Sequence, residues 1–263
     1  MVLFLHKHTS RGDIPMNAIQ PRPFQQPRSV DRMSARLLTS QADSIRDMAV
    51  ALGTSQNSQA DANGVYSATL LGRDSIRYTK DSEGKISSVE LNADTATPTR
   101  FSFETGQWPH LTTVTVGSDT FDVQGSDHVG WSTPGEEVKL EAPLAELLKG
   151  NGYSTRDLAV ALDNSSADQA PGIGWVQVPG EGNTTWNYPV SFQYDRDGKV
   201  SDLATSVGDY TRAEYSFFDG ELNSVAQRNS SYITKDNNVF DFHEGRNRAF
   251  RYAAWVEEHQ IKE

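Results

Sequence analysis

The sequence predicts an α+β protein of two tandem units. Each is a short helical pair followed by an antiparallel β-meander of five or six strands, and a C-terminal helix closes the second. Two observations carry this reading. A nine-residue phrase is written twice, and after each copy the chain breaks into short segments rich in Val, Ile, Thr, Tyr and Phe separated by Gly, Asp and Ser.

The repeated phrase is SIRDMAVAL (Ser44 to Leu52) and STRDLAVAL (Ser154 to Leu162), identical at seven of nine positions, with Met48 facing Leu158. At the same offset of 110, Ala35, Leu37 and Leu38 face Ala145, Leu147 and Leu148 upstream. Downstream the offset becomes 114, where EGKISSV from Glu83 faces DGKVSDL from Asp197, and FSFETG from Phe101 faces YSFFDG from Tyr215. Four blocks in one order argue for duplication, and a repeat sets the architecture before any other feature does. The chain divides into an arm at 1–33, a first α+β unit at 34–140 and a second at 141–263.

Residues 1–33 hold Pro15, Pro21, Pro23 and Pro27 among Gln and Arg. Proline blocks helix and ladder hydrogen bonds, so the arm reads as flexible or extended. In the second unit Gly150, Asn151 and Gly152 predict the end of a first helix. Ser154 and Asp157, like Ser44 and Asp47, predict an S-x-x-D capping box that starts the next helix.

Six strand segments follow in the first unit: VYSATLLG, SIRYTK, KISSVELN, TRFSFET, LTTVTVG and TFDVQG. The second offers IGWVQVP, YPVSFQYD, KVSDLATSV, RAEYSFF, LNSVAQ, SSYITK and VFDFH. Short connections imply antiparallel neighbours. Ala249, Tyr252, Ala253 and Val256 form a helical stripe that predicts the terminal helix.

Charge and composition exclude several functions. The net charge is −11, but the arm carries +3, leaving −14 on the body. An acidic body is unsuited to nucleic acid, whose phosphates dominate affinity. Without cysteine there are no disulfides, thiolate metal sites or cysteine nucleophiles. No apolar run approaches the roughly 20 residues of a membrane span, and the apolar start MVLFL is too short for the core of a signal peptide. The expected location is cytoplasmic, or outside the cell by a route without a classical signal peptide.

Candidate chemistry is sparse. Asp127 beside His128, and Asp241, His243 and Glu244 together, place carboxylates near an imidazole and are the only catalytic candidates. Adjacent strand residues point to opposite faces, which argues against Asp127 and His128 meeting. Asp81, Glu83, Gly84 and Glu90 fall at four positions of a calcium loop, but Thr79 and, in the second unit, Gln193 and Ala204 break the pattern. These segments therefore read as hairpin turns, and no metal or cofactor is expected. Trp108, Trp131, Trp175, Trp186 and Tyr188 lie in loops or at strand starts, where large rigid rings with one polar handle suit a protein interface.

The stretch from Phe192 to Val225, with FQYDRDGKVSDL and YSFFDGELNSV, resembles the YD-type β-hairpin repeats of large secreted shell proteins. That resemblance implies hairpins at both turns. The predicted outline is also similar in layout to two-unit secreted inhibitors that grip an enzyme with a concave sheet.

The expected function is a non-enzymatic protein-binding module: an inhibitor, effector or assembly component. The alternatives are a carboxylate-dependent hydrolase or glycan-acting enzyme, and a structural component of a larger particle.

Overall fold

A meander with one apolar face needs a cover, and here two helices cover two meanders at once. The fold is that of a computed structural model describing residues 26–70, 74–104, 110–124, 135–164, 173–179, 185–207, 211–229 and 236–253. Its elements are β1 (Arg28–Ser29), α1 (Arg32–Ser55), β2 (Val65–Leu70), β3 (Asp74–Lys80), β4 (Ile86–Leu91), β5 (Thr99–Glu104), β6 (His110–Val116) and β7 (Asp119–Asp122). There follow β8 (Glu137–Lys139), α2 (Ala142–Asn164), β9 (Ile173–Pro179), β10 (Thr185–Tyr194), β11 (Val200–Val207), β12 (Thr211–Phe218), β13 (Glu221–Asn229), β14 (Asp236–Asp241) and β15 (Arg248–Ala253).

The strands make two sheets, ordered β1-β7-β6-β5-β4-β3-β2 and β8-β15-β14-β13-β12-β11-β10-β9. All pairs are antiparallel except β1 with β7. Each sheet buries one row of side chains in direct cross-strand register. In the first the row is Tyr78, Val89, Phe101, Val114 and Phe121. In the second it is Phe192, Leu203, Tyr215, Val225, Phe240 and Ala249.

Both sheets agree in detail. The pairs Tyr78 with Val89 and Val89 with Phe101 recur 114 residues later as Phe192 with Leu203 and Leu203 with Tyr215. Register slips at Thr79/Lys80 and Ser102/Phe103 recur at Gln193/Tyr194 and Ser216/Phe217. The turns share a device too. Asp81 Oδ1 accepts the Glu83 and Lys85 amides at 2.9 and 2.8 Å, and Asp195 Oδ1 accepts those of Asp197 and Lys199 at the same distances. Gly84 and Gly198 supply the positive φ that closes each loop.

The helices are single and continuous, which corrects the expected helical pairs. The N-cap of α1 is Asp31, whose Oδ1 accepts the Ser34 amide at 3.0 Å. Ser44 and Ser154 lie inside α1 and α2 and each donates its hydroxyl to the carbonyl four residues back, Ser40 and Gly150, at 2.8 and 3.0 Å. They cap nothing, and the phrase is mid-helical in both halves. Gly152 does not end a helix either: a Cβ there would stand 2.6 Å from Leu222 Cδ2, so the glycine permits close approach to the second sheet.

The predicted terminal helix is also corrected over its described part. Arg248–Ala253 form β15, hydrogen-bonded between β14 and β8, with Ala249 and Arg251 buried at alternate positions. Val256 lies outside the described residues, as does the segment SSYITK. Residues Arg28 and Ser29, assigned to the arm, pair with Phe121 and Asp122.

Helix α1 packs against β2, β3, β4 and β6 of the first sheet and β9, β11 and β12 of the second, and α2 lies beside it. The side of α1 that turns from the first sheet therefore meets another layer, and Gln41 and Ser44 are fully buried with the apolar residues. Gln41 Nε2 donates to the Leu148 carbonyl at 3.0 Å, and Asn151 Nδ2 donates to Gln41 Oε1 at 3.1 Å. Gln41 and Asn151 are 110 positions apart, the offset of the repeated phrase. Ser44 Oγ lies 3.2 Å from Thr205 Oγ1, and Gln227 Nε2 donates to the Arg36 carbonyl at 3.0 Å, tying α1 to the second sheet.

The outer edge of β2 is closed by the chain leaving α1. Gln56 exchanges two hydrogen bonds with Thr69, at 2.7 and 2.8 Å, as a neighbouring strand would. Ser58 Oγ accepts the Ser67 amide at 3.1 Å, and Asp61 Oδ1 accepts that of Val65 at 2.9 Å. An edge so occupied cannot recruit another strand.

Two glycines test this packing in opposite directions. A Cβ at Gly53 would lie 2.5 Å from the Tyr78 hydroxyl, whose ring is stacked on Tyr66, so Gly53→Ala is expected to cost about 1–3 kcal/mol despite its gain in helix propensity. At Gly150 nothing lies within 4 Å, so Gly150→Ala is expected to stabilise by up to about 1 kcal/mol. Urea midpoints of the two variants check the signs.

Candidate functional site

The residues nominated by sequence do not gather at one place. Asp127, Trp131 and Trp108 lie outside the described residues. Trp175 is opposite Pro189 across β9 and β10, while Trp186 and Tyr188 are opposite Val178 and Val176. Counting along β10, Trp186 and Tyr188 fall in the alternation of the buried Val190 and Phe192, and Trp175 falls in the other.

Asp241, His243 and Glu244 do lie together, at the turn between β14 and β15, and arginines occupy both carboxylates. Asp241 Oδ2 accepts Arg248 Nε at 3.2 Å and Nη2 at 3.1 Å, while its Oδ1 accepts the His243 amide at 3.1 Å. Glu244 Oε1 is 3.3 Å from His243 Nε2, and its Oε2 is 3.5 Å from Arg246 Nη2. His243 and Glu244 are both exposed. The arrangement fastens a turn to β15 and β8, since Arg248 also reaches Glu137 at 3.4 Å. Among the described residues, no three His, Asp or Glu side chains converge as metal ligands would.

The polar half of the repeated phrase leads to a different pair of sites. Arg46 Nε donates to Asp47 Oδ1 at 2.9 Å, and its guanidinium carbon stands 5.4 Å from the centre of the Phe103 ring. In the other half Arg156 Nε donates to Asp157 Oδ1 at 2.8 Å, and its guanidinium carbon stands 5.3 Å from the centre of the Phe217 ring. Phe103 and Phe217 each follow the register slip in their strand. A slip re-aims the next side chain, and here it brings a ring under the cation of the covering helix.

The two sites then diverge. At the first, Arg46 Nη1 also reaches Asp43 Oδ1 at 2.7 Å, so one guanidinium serves two carboxylates. The three side chains are only 16 to 18% exposed. Burial pushes the Asp43 carboxyl from 3.8 up to about 6, against the pull of Arg46, with Asp47 adding to the rise and His110 opposing it. Burial likewise raises Asp47.

At the second, position 153 is Tyr. Its hydroxyl donates to Glu221 Oε2 at 2.6 Å and accepts the Leu222 amide at 3.1 Å. The Arg156 guanidinium lies 5.3 Å from the Tyr153 and Phe217 ring centres alike and donates to the Gly220 carbonyl at 3.0 Å. This brace holds the β12–β13 hairpin, at whose tip Phe218 is 76% exposed. Lys199 reaches across from the neighbouring hairpin to Asp219, and Tyr194, 40% exposed, ends β10 at the same side of the sheet. Phe218 and Tyr194 are the large apolar side chains exposed among the described residues. The first sheet carries Glu104 and Lys80 at the matching positions.

Comparison with protein-family models, with curated proteins and with solved structures gives no match.

Sequence reasoning missed Arg46, Arg156, Asp43, Tyr153 and Phe218. The signal was present: apolar identities in a repeated helix follow from packing alone, whereas an identical Arg-Asp pair requires a repeated partner. Removing Arg156 takes away its stacking, a carbonyl bond and the cation beside Asp157, so Arg156→Ala is expected to cost about 2 kcal/mol, and Arg156→Lys should recover only part because an ammonium lacks the planar fork. Chemical denaturation of both variants measures it.

Proposed function

We propose that the chain is a non-enzymatic protein-binding module, built by duplication of a helix-and-meander unit, whose second copy has become the binding end. The observation that carries this reading is Phe218, exposed to 76% at the tip of a hairpin braced from below by Arg156 and Tyr153. A large ring in water on a rigid support is what an interface anchor requires, since little freedom remains to be lost on binding. Tyr194 adds a second, amphipathic ring. The duplication is supported by matching registers and slips and by the Gln41 to Asn151 contact, because equivalent positions meet each other at a two-fold axis.

The partner is a protein. The basic, proline-rich arm serves docking or delivery in this reading, and the acidic body is unsuited to nucleic acid. Against a carboxylate hydrolase stands the engagement of Asp43, Asp47, Asp241 and Glu244 by arginines, which leaves none of the four poised toward a substrate.

A photo-reactive phenylalanine analogue placed at Phe218 is expected to form one adduct of defined mass in lysate of the source cells, and the same analogue at Glu104 none. Phe218→Ala should weaken capture of that partner roughly thirtyfold while changing stability by less than about 0.5 kcal/mol. Equal adducts at both positions, or unchanged capture by the alanine variant, would refute the assignment.

A further inference from the structure

Where α1 meets the first sheet, two carboxylates share one guanidinium, and all three side chains are largely shielded from water. Asp43, Arg46 and Asp47 all lie on α1. The sheet contributes the Phe103 ring from β5, and across the β5–β6 pair His110 stands opposite Glu104, whose Oε2 accepts Gln124 Nε2 at 2.9 Å. The charged and titratable groups that act on Asp43 are thus Arg46 and Asp47 on its own helix and His110 on β6. The twin site lacks this imbalance: there Arg156 answers Asp157, and position 153 is a neutral Tyr that itself binds Glu221.

We propose that Asp43 is a proton-operated latch on the fold: taking up a proton as pH falls below neutral stabilises the packing around α1, and only this half of the molecule carries it. Taking up a proton at Asp43 leaves Arg46 matched to Asp47 alone and removes the excess buried charge. Nothing else in the contact has to move. The folded carboxyl holds its proton up to about pH 6 whereas an ordinary aspartate releases it near 3.8, so between those values the folded state binds more protons and is favoured. The contribution is complete below about 3.8 and is lost as pH rises through about 6.

Asp43→Asn keeps the shape and removes the charge, so the ratio of unfolding constants, wild type over variant, reports this carboxyl together with its coupling to Asp47 and His110. The ratio is expected to fall roughly tenfold between pH 7.5 and pH 5, and about fiftyfold by pH 4. A ratio that stays flat across that range overturns the latch. Should the variant fail to fold, the carboxyl carbon of Asp43 followed by NMR in the wild-type protein decides the matter. A midpoint near 6 supports the proposal, and one at or below about 4.5 overturns it.

Discussion

The constraint on which the rest depends is that α1 lies between two sheets, with α2 beside it. A helix covering one sheet can carry its polar residues on the far side. Where that far side meets another layer, a buried polar group is costly unless it finds a partner inside the protein. Gln41 finds the Leu148 carbonyl and Asn151, and Ser44 finds its own helix and Thr205. The fully buried Tyr215 faces Gln41, Thr155 and Thr205, and burial pushes its hydroxyl well above the ordinary phenol range. Its counterpart in the first sheet, 114 residues earlier, is Phe101. This polar seam joins α1 to the second sheet, whereas against the first sheet α1 sets the guanidinium of Arg46 over the Phe103 ring.

That layout explains why a phrase should be kept in two places when neither copy starts a helix. Its apolar residues fill the space between sheets, which any similar set could do. Its Arg-Asp pair is more specific, because the carboxylate turns the guanidinium over a ring that the register slip has lifted out of the regular pleat. Helix and sheet are thereby fixed in rotation as well as in distance. The same geometry, with guanidinium carbons 5.4 and 5.3 Å from the ring centres, arises from residues separated by different lengths of chain in the two halves. The helix offset is 110 and the sheet offset 114, so the chain between them is longer in the second half while the contact is the same.

Much of the meander was legible because its signals are local. Alternation, β-branched residues and D-x-x-G turns predicted six of the seven strands of the first sheet, all but β1, and the turn aspartates bind their own backbone amides. The helices were misread for a reason that lies outside the local window. Gly150, Asn151 and Gly152 look like a stop signal, yet Asn151 is spent on Gln41 across the helix pair and Gly152 on contact with Leu222, and neither partner is near in sequence. The stretch Arg248–Ala253 fits a helical stripe equally well on paper. It became a strand because β14 and β8 offered ladders on both of its sides. Trp175, Trp186 and Tyr188 were nominated together by residue type, and register places them in two alternations of one sheet.

Where two halves agree in architecture, their differences mark what each does separately. Three matched positions differ in one sense: Asp43 against Tyr153, Lys80 against Tyr194 and Glu104 against Phe218. Each exchange replaces a charge in the first half with an aromatic ring in the second. Packing between helix and sheet does not require this, because the Arg-over-Phe contact is present in both halves. In the first half Asp43 shares Arg46 with Asp47, and in the second Phe218 stands exposed on a braced hairpin. One arrangement of helix over sheet, present twice in the chain, thus carries different chemistry in each half above a common Arg-over-Phe contact.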